Sequence, residues 1–169
     1  MLIKMSKPNI KMEDGIFISS SEEETGLIAR GLLESVAGTR EDSALVIALE
    51  GKLGAGKTRF AQGIARHLQI NRNITSPTFV LMKKYDIAGK IFSRRIKTFY
   101  HLDCYRINSS KEILDIGWQN IIADPANIVL VEWSEKIRDL LPQNVVKITI
   151  KEKNENEREI IIKNLYGQK

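Results

Sequence analysis

The 169-residue sequence has one cysteine, Cys104. A lone thiol cannot close an internal disulfide, so a disulfide scaffold is excluded and a reducing compartment is favoured. There are four prolines and no Pro/Gly/Ser-rich stretch, hence no linker separating two domains. No apolar run exceeds the six residues from Ala44 to Leu49, against about 20 needed to cross a bilayer. Residues 1–15 carry Lys4, Lys7, Lys11, Glu13 and Asp14 without an apolar segment, so they do not read as a secretory signal. The expected location is cytoplasmic, with no membrane contact. With 43% hydrophobic and 28% charged residues, the balance is that of a globular chain, not of extended disorder or a low-complexity polymer. At this length a hydrophobic core suffices for folding without a structural metal.

Acidic residues are scarce in the middle of the chain. Residues 51–110 carry 12 basic and 2 acidic side chains, whereas residues 1–50 carry 5 and 9, and residues 111–169 carry 9 and 10. An anionic ligand is expected against this segment. For any single lysine a solvated surface is the better explanation of the charge. The two acids, Asp86 and Asp103, become candidates for chemistry.

The apolar pattern alternates strand and helix. Gly15 to Ile18 reads as a strand, and Ser21 with Glu24 three positions later as a capping box. The helix it opens is expected to run to about Ala37, with Leu27, Ile28, Leu32, Leu33 and Val36 as its apolar face and Gly38 as its stop. Ala44 to Leu49 reads as a buried parallel strand. A second helix, about Lys57 to Gln69, shows Phe60, Ile64 and Leu68 at four-residue spacing. Further strands are expected at Phe79 to Tyr85, Ile96 to Tyr105, Ile128 to Val131, Val145 to Lys151 and Glu159 to Lys163. A short helix is expected at Ile113 to Ile122, ended by Asp124-Pro125. Residues 1–14 read as an extension, expected to be flexible, and residues 15–169 as one domain. The fold class is α/β: a P-loop NTPase-like three-layer sandwich around a mixed, mainly parallel sheet.

The strongest chemical signal is Gly51-Lys52-Leu53-Gly54-Ala55-Gly56-Lys57-Thr58, which satisfies G-x-x-x-x-G-K-[ST]. Its glycines let successive backbone N–H groups turn toward phosphate oxygens at a helix N-terminus. Lys57 reaches β- and γ-phosphates, and the Thr58 hydroxyl is placed to ligate Mg²⁺. A buried strand before the motif and an amphipathic helix after it supply the context that a chance match lacks. Glu132 ends the apolar strand Ile128–Val131, where a nucleotidase needs a carboxylate. Trp133 beside it packs over a nucleotide or fills a core edge. In His101-Leu102-Asp103-Cys104-Tyr105-Arg106, the strand period puts His101, Asp103 and Tyr105 on one face and turns Leu102 and Cys104 inward. Two ligands do not make a zinc centre, so Asp103 reads either as an acid that holds water bound to Mg²⁺ from behind its direct ligands or as a water-positioning acid, and Arg106 as a phosphate or RNA contact; a plain surface strand shows the same alternation. Ser76 and Thr78 flank Pro77, and either approach the γ-phosphate or shape the turn.

Taken in order, Ser21…Thr25, the Gly51–Thr58 loop, Ser76-Pro77-Thr78-Phe79, His101-x-Asp103-x-Tyr105-Arg106 and Glu132-Trp133-Ser134-Glu135 resemble the bacterial TsaE (YjeE) family, from about Ile16 to Ile162. The resemblance implies a small ATPase that works with TsaB and TsaD in placing threonylcarbamoyladenosine beside the anticodon of tRNA. TsaD performs the transfer, tRNA is met through the complex, and ATP hydrolysis is expected to reset the complex between turnovers. It further implies ATP and Mg²⁺ as cofactors, with Thr58 and Glu132 on the metal and Lys57, Asp103 and Glu132 in catalysis. The implied nucleotide-binding set is Thr25, Gly51, Leu53, Gly54, Ala55, Gly56, Lys57, Thr58, Arg59 and Trp133. Two departures stand out: the loop Ile87–Lys97 carries Arg94-Arg95 and is long, and Arg59 occupies a position where a second threonine is frequent. A small-molecule kinase and a non-catalytic RNA-binding module are the competing readings; the first would transfer phosphate to a metabolite, the second would bind tRNA with steep salt dependence and no hydrolysis.

Overall fold

The computed structural model describes residues 2–3, 14–36, 42–87 and 96–164. The described strands are β1 (Leu2–Ile3), β2 (Gly15–Ser19), β3 (Leu45–Glu50), β4 (Met82–Asp86), β5 (Thr98–Asp103), β6 (Asn127–Glu132), β7 (Val146–Glu152) and β8 (Arg158–Asn164). They form one sheet in the order β1-β2-β8-β7-β3-β6-β5-β4. Its centre, β7-β3-β6-β5, is parallel, while β4 on one side and β8 on the other run antiparallel to their central neighbours. The helices are α1 (Glu22–Val36), α2 (Lys57–His67), α3 (Lys111–Asp115) and α4 (Trp118–Ala123), with a 3-10 segment at Ser134–Leu140.

β3 shows why the core has two halves. Leu45, Ile47 and Leu49 point into one cluster with Ile28, Leu32 and Leu33 of α1 and Phe60 and Ile64 of α2. Val46 and Ala48 point into the other, with Ile113, Trp118, Ile121 and Ile137. Both faces are covered, as an apolar run without alternation requires. Each fully buried Leu, Ile or Phe is worth about 1.5–3 kcal/mol relative to exposure. The α/β reading with a mixed, centrally parallel sheet flanked by helices therefore holds.

Several local expectations shift. The buried stripe of α1 is Thr25, Ile28, Ala29, Leu32, Leu33 and Val36, a clean i, i+3, i+4, i+7 series. Leu27 falls outside it and is 47% exposed. The capping box forms with an offset: Ser21 Oγ accepts the Glu24 N–H at 3.1 Å, but the Glu24 carboxylate reaches back to the Ser20 N–H. Phe79–Leu81 do not extend β4, since the Val80 N–H bonds the Pro77 carbonyl in a turn and Leu81 adopts φ 64. The helix expected over Ile113–Ile122 is two, separated at Gly117, whose φ of 80 glycine adopts without a Cβ clash. The expected helix stop at Gly38, the arginines at 94 and 95, and the extension apart from Leu2–Ile3 and Asp14 lie outside the described residues.

α1 crosses α2 at glycines. A Cβ on Gly63 would lie 2.9 Å from the Gly26 Cα and 3.0 Å from the Ala29 Cβ. Gly63→Ala is expected to destabilise the fold by about 1–3 kcal/mol through overpacking, although alanine gains up to about 1 kcal/mol in helix propensity. A lowered urea midpoint at unchanged slope is the reading that checks this.

Candidate functional site

β3 ends at Glu50 and the chain turns at once into the glycine loop. A Cβ on Gly51 would lie 2.5 Å from the Ile150 carbonyl oxygen, and Gly51 has φ 150, so only glycine fits against β7. Gly54 and Gly56 are left-handed, at φ 80 and 108. Gly56 delivers the chain into α2 with no side chain capping the first helical amides. Ala55 is buried beneath the loop, and Leu53 is exposed at its crest. Such a loop and helix start form a cradle for an anion.

Lys57 folds back over this cradle. Its Nζ donates to the Gly51 and Lys52 carbonyls at 2.7 and 2.9 Å and lies 3.9 Å from the centroid of the Trp133 ring. Burial pulls the ammonium below its usual 10.5, against the opposing charges of Glu132, Glu135 and Asp103. Trp133 holds a left-handed backbone at φ 59, an unusual conformation for a bulky residue. Its ring also meets Tyr105, with centroids 5.0 Å apart.

The parallel register brings the acids together. Asp103 of β5 lies opposite Glu132 of β6, and Glu132 opposite Leu49 of β3. Paired residues point to one face, here the face under α2. Thr58 Oγ1, at the start of α2, donates to Glu132 Oε2 at 3.2 Å. His101 Nε2 lies 2.8 Å from Glu132 Oε1; a carboxylate oxygen accepts, so the ring nitrogen donates. Asp103 Oδ2 accepts from both Ser76 and Thr78, the latter at 2.6 Å, and Oδ1 accepts the Tyr105 N–H at 2.8 Å. Asp103, Glu132 and His101 are all at least 97% buried. The β5 segment is thus no surface strand, because sheet and helix layers cover both its faces. Leu102 and Cys104 do turn into the opposite core, where burial, with Asp103 alongside, pushes the Cys104 thiol up to about 12.

The oxygens of Thr58 and Glu132 converge, a hard-donor pair suited to Mg²⁺, which takes few protein ligands and keeps phosphate oxygens and water for the rest. Beside the glycine loop opens a pocket of about 350 Å³. One wall is Ser19, Thr25 and Arg59; the other is Ile150, Asn156 and Arg158 from the β7–β8 hairpin. The Thr25 hydroxyl bonds Ser19 Oγ at 2.7 Å and the Ser21 carbonyl at 3.1 Å. Arg59 pairs with Glu22 at 2.9 Å. Arg106 does not line this pocket; its guanidinium stacks 4.3 Å over the exposed Phe79 ring. Sequence reasoning missed the hairpin wall, which looked like a charged turn, and the bond from His101 to Glu132. Its one available signal was the phase that His101 shares with Asp103.

The chain matches the family model described as "Threonylcarbamoyl adenosine biosynthesis protein TsaE" over residues 19–160. It is 35% identical over 144 residues to a tRNA threonylcarbamoyladenosine biosynthesis protein TsaE from Rickettsia felis, covering 85% of this chain and 76% of that relative. The protein of the same name from Treponema pallidum is 35% identical over 128 residues, covering 76% and 88%. Among solved structures, a crystal structure of Bacillus subtilis YdiB superposes with a TM-score of 0.64 at 30% identity, covering 90% of this chain and 86% of that one.

Proposed function

The chain belongs to the TsaE family of threonylcarbamoyladenosine biosynthesis, and from that premise we propose that it is the Mg²⁺-dependent ATP-hydrolysing subunit of the machinery, acting with TsaB and TsaD on tRNA beside the anticodon in the cytoplasm. Residues 15–169 form the ATPase domain in this reading. The observation that carries it is the meeting of Thr58 and Glu132, 74 residues apart in sequence, in one hydrogen bond beside the cradle that Lys57 covers.

The mechanism is positioning and electrostatics. Loop amides and Lys57 hold the β- and γ-phosphates; for this, Nζ leaves the two carbonyls it occupies and exchanges them for charged oxygens. The nucleoside enters the pocket between Thr25 and the β7–β8 hairpin. Thr58 and Glu132 would hold Mg²⁺, which would supply positive charge to neutralise that on the phosphates. With Glu132 committed to Thr58 and His101, Asp103 is the acid that orients the attacking water, through the Ser76 and Thr78 hydroxyls it already gathers. Phe79 and Arg106 stand exposed next to those hydroxyls. In this reading a partner seated there would touch the Ser76–Phe79 loop, which would couple hydrolysis to the resetting of the complex.

ATP hydrolysis by the purified chain, alone and then with TsaB and TsaD, tests the reading. Slow turnover that rises sharply with the partners is expected. Bound nucleotide with no stimulation and phosphate appearing on a metabolite would replace it with the kinase reading; salt-sensitive tRNA binding without hydrolysis would replace it with the RNA-binding one.

A further inference from the structure

His101 occupies a core position and uses it for one bond. It is fully buried, between Phe99 on its own strand and Leu130 opposite on β6. The Phe99 ring stacks alongside at 6.3 Å between centroids. Its Nδ1 is buried with no hydrogen-bond partner, and its Nε2 meets Glu132 alone. Two other buried polar side chains of the described sheet and its flank do bond the backbone: Asn127 to the Ile121 carbonyl and Ser134 to the Leu49 carbonyl. An apolar ring would fill the same space and leave no orphaned nitrogen.

We propose that His101 is a positioning residue for the metal-binding carboxylate: by taking Glu132 Oε1, it fixes the carboxylate plane so that Oε2 faces Thr58. The inference rests on the reading of Thr58 and Glu132 as the Mg²⁺ pair. Glu132 has three side-chain torsions, the last of them broad, and Thr58 alone restrains only one oxygen. A second contact on the other oxygen removes rotation about that last bond. His101 acts through Glu132 and touches neither nucleotide nor metal. The register makes this possible, because His101 pairs with Leu130, so Glu132 is two residues further along the neighbouring strand on the same face.

Mn²⁺ titration of the full chain with ADP, followed by electron paramagnetic resonance, gives the test, alongside ADP affinity in EDTA as a metal-free reference. His101→Leu removes the donor, and His101→Asn keeps an amide too short to reach Glu132. His101→Gln places an amide nitrogen close to where Nε2 lies. Leu and Asn are expected to weaken Mn²⁺ ten- to hundredfold, as loss of an outer-shell partner typically does, with metal-free ADP affinity unchanged. Gln is expected to retain the parental Mn²⁺ affinity. Should His101→Leu fail to fold, the contrast between Asn and Gln decides alone. Parental Mn²⁺ affinity in Leu or Asn, or a loss in Gln as deep as in Asn, would overturn the role. A parent chain that binds ADP but no Mn²⁺ would instead overturn the metal pair itself, and the inference with it.

Discussion

Lys57→Ala is expected to lower ATP affinity by about a hundred- to ten-thousandfold, since charge-assisted bonds contribute about 1.5–3 kcal/mol each and the ammonium supplies two to the phosphates. Stability should change far less. The variant loses two hydrogen bonds that the ammonium donates to carbonyls, worth about 1.5–3 kcal/mol each before the desolvation of the charge is set against them. It also removes an ammonium that burial disfavours in its charged form. The sign follows from the direction of the shift: a depressed lysine pKa means the fold bears a penalty for the charge throughout the pH range below it. The two effects oppose each other, so melting and urea midpoints near the parental values should accompany the lost affinity. Equilibrium dialysis with ATP reads the first quantity, and unchanged affinity there would remove the phosphate role from the loop.

Glu132→Ala is expected to act on both chemistry and fold. Hydrolysis should fall by about 10²–10³, the loss typical of removing one preorganised electrostatic group, while nucleotide binding in EDTA persists because loop and Lys57 are intact. The fold should lose about 1–3 kcal/mol, because both His101 nitrogens are then buried without partners. Glu132→Gln separates the two effects. It keeps the volume and an oxygen for a donor, so most of the stability returns, but its neutral amide holds Mg²⁺ poorly and hydrolysis stays low. Steady-state phosphate release and urea unfolding on the same preparations check both halves. A Glu132→Ala variant with parental turnover would take the acid out of the reaction.

The element types were largely legible because their signals are local. β3 carries five apolar residues without interruption before Glu50, and β6 carries four, Ile128 to Val131, before its terminal acid. In each case the burial that the pattern implies is the burial found. Misreadings arose where an apolar residue had no surface to cover. Phe79 and Val80 have the composition of a strand, yet they are 82% and 61% exposed in a turn, because no neighbouring strand lies opposite them. Leu27 is one residue out of phase with the stripe of α1. Nothing in its own identity marks that error; only the full i, i+3, i+4 series does.

The sequence by itself determined the glycine loop and the helix start after it, since its glycines, lysine and threonine are contiguous and their conformations follow from residue type. It also determined that an acid ends the strand Ile128–Val131, and that little negative charge competes within residues 51–110. Only the tertiary structure decided which groups those residues meet. Strand order places β6 between β3 and β5, and only that order sets Glu132 beside Thr58 and His101. Pairing of β3 with β7 likewise carries the β7–β8 hairpin to the loop, where Asn156 and Arg158 become a pocket wall. Parallel pairing joins segments far apart in the chain. Its register is set by the burial of both sheet faces at once, a property of the assembled layers that no single stretch of sequence contains.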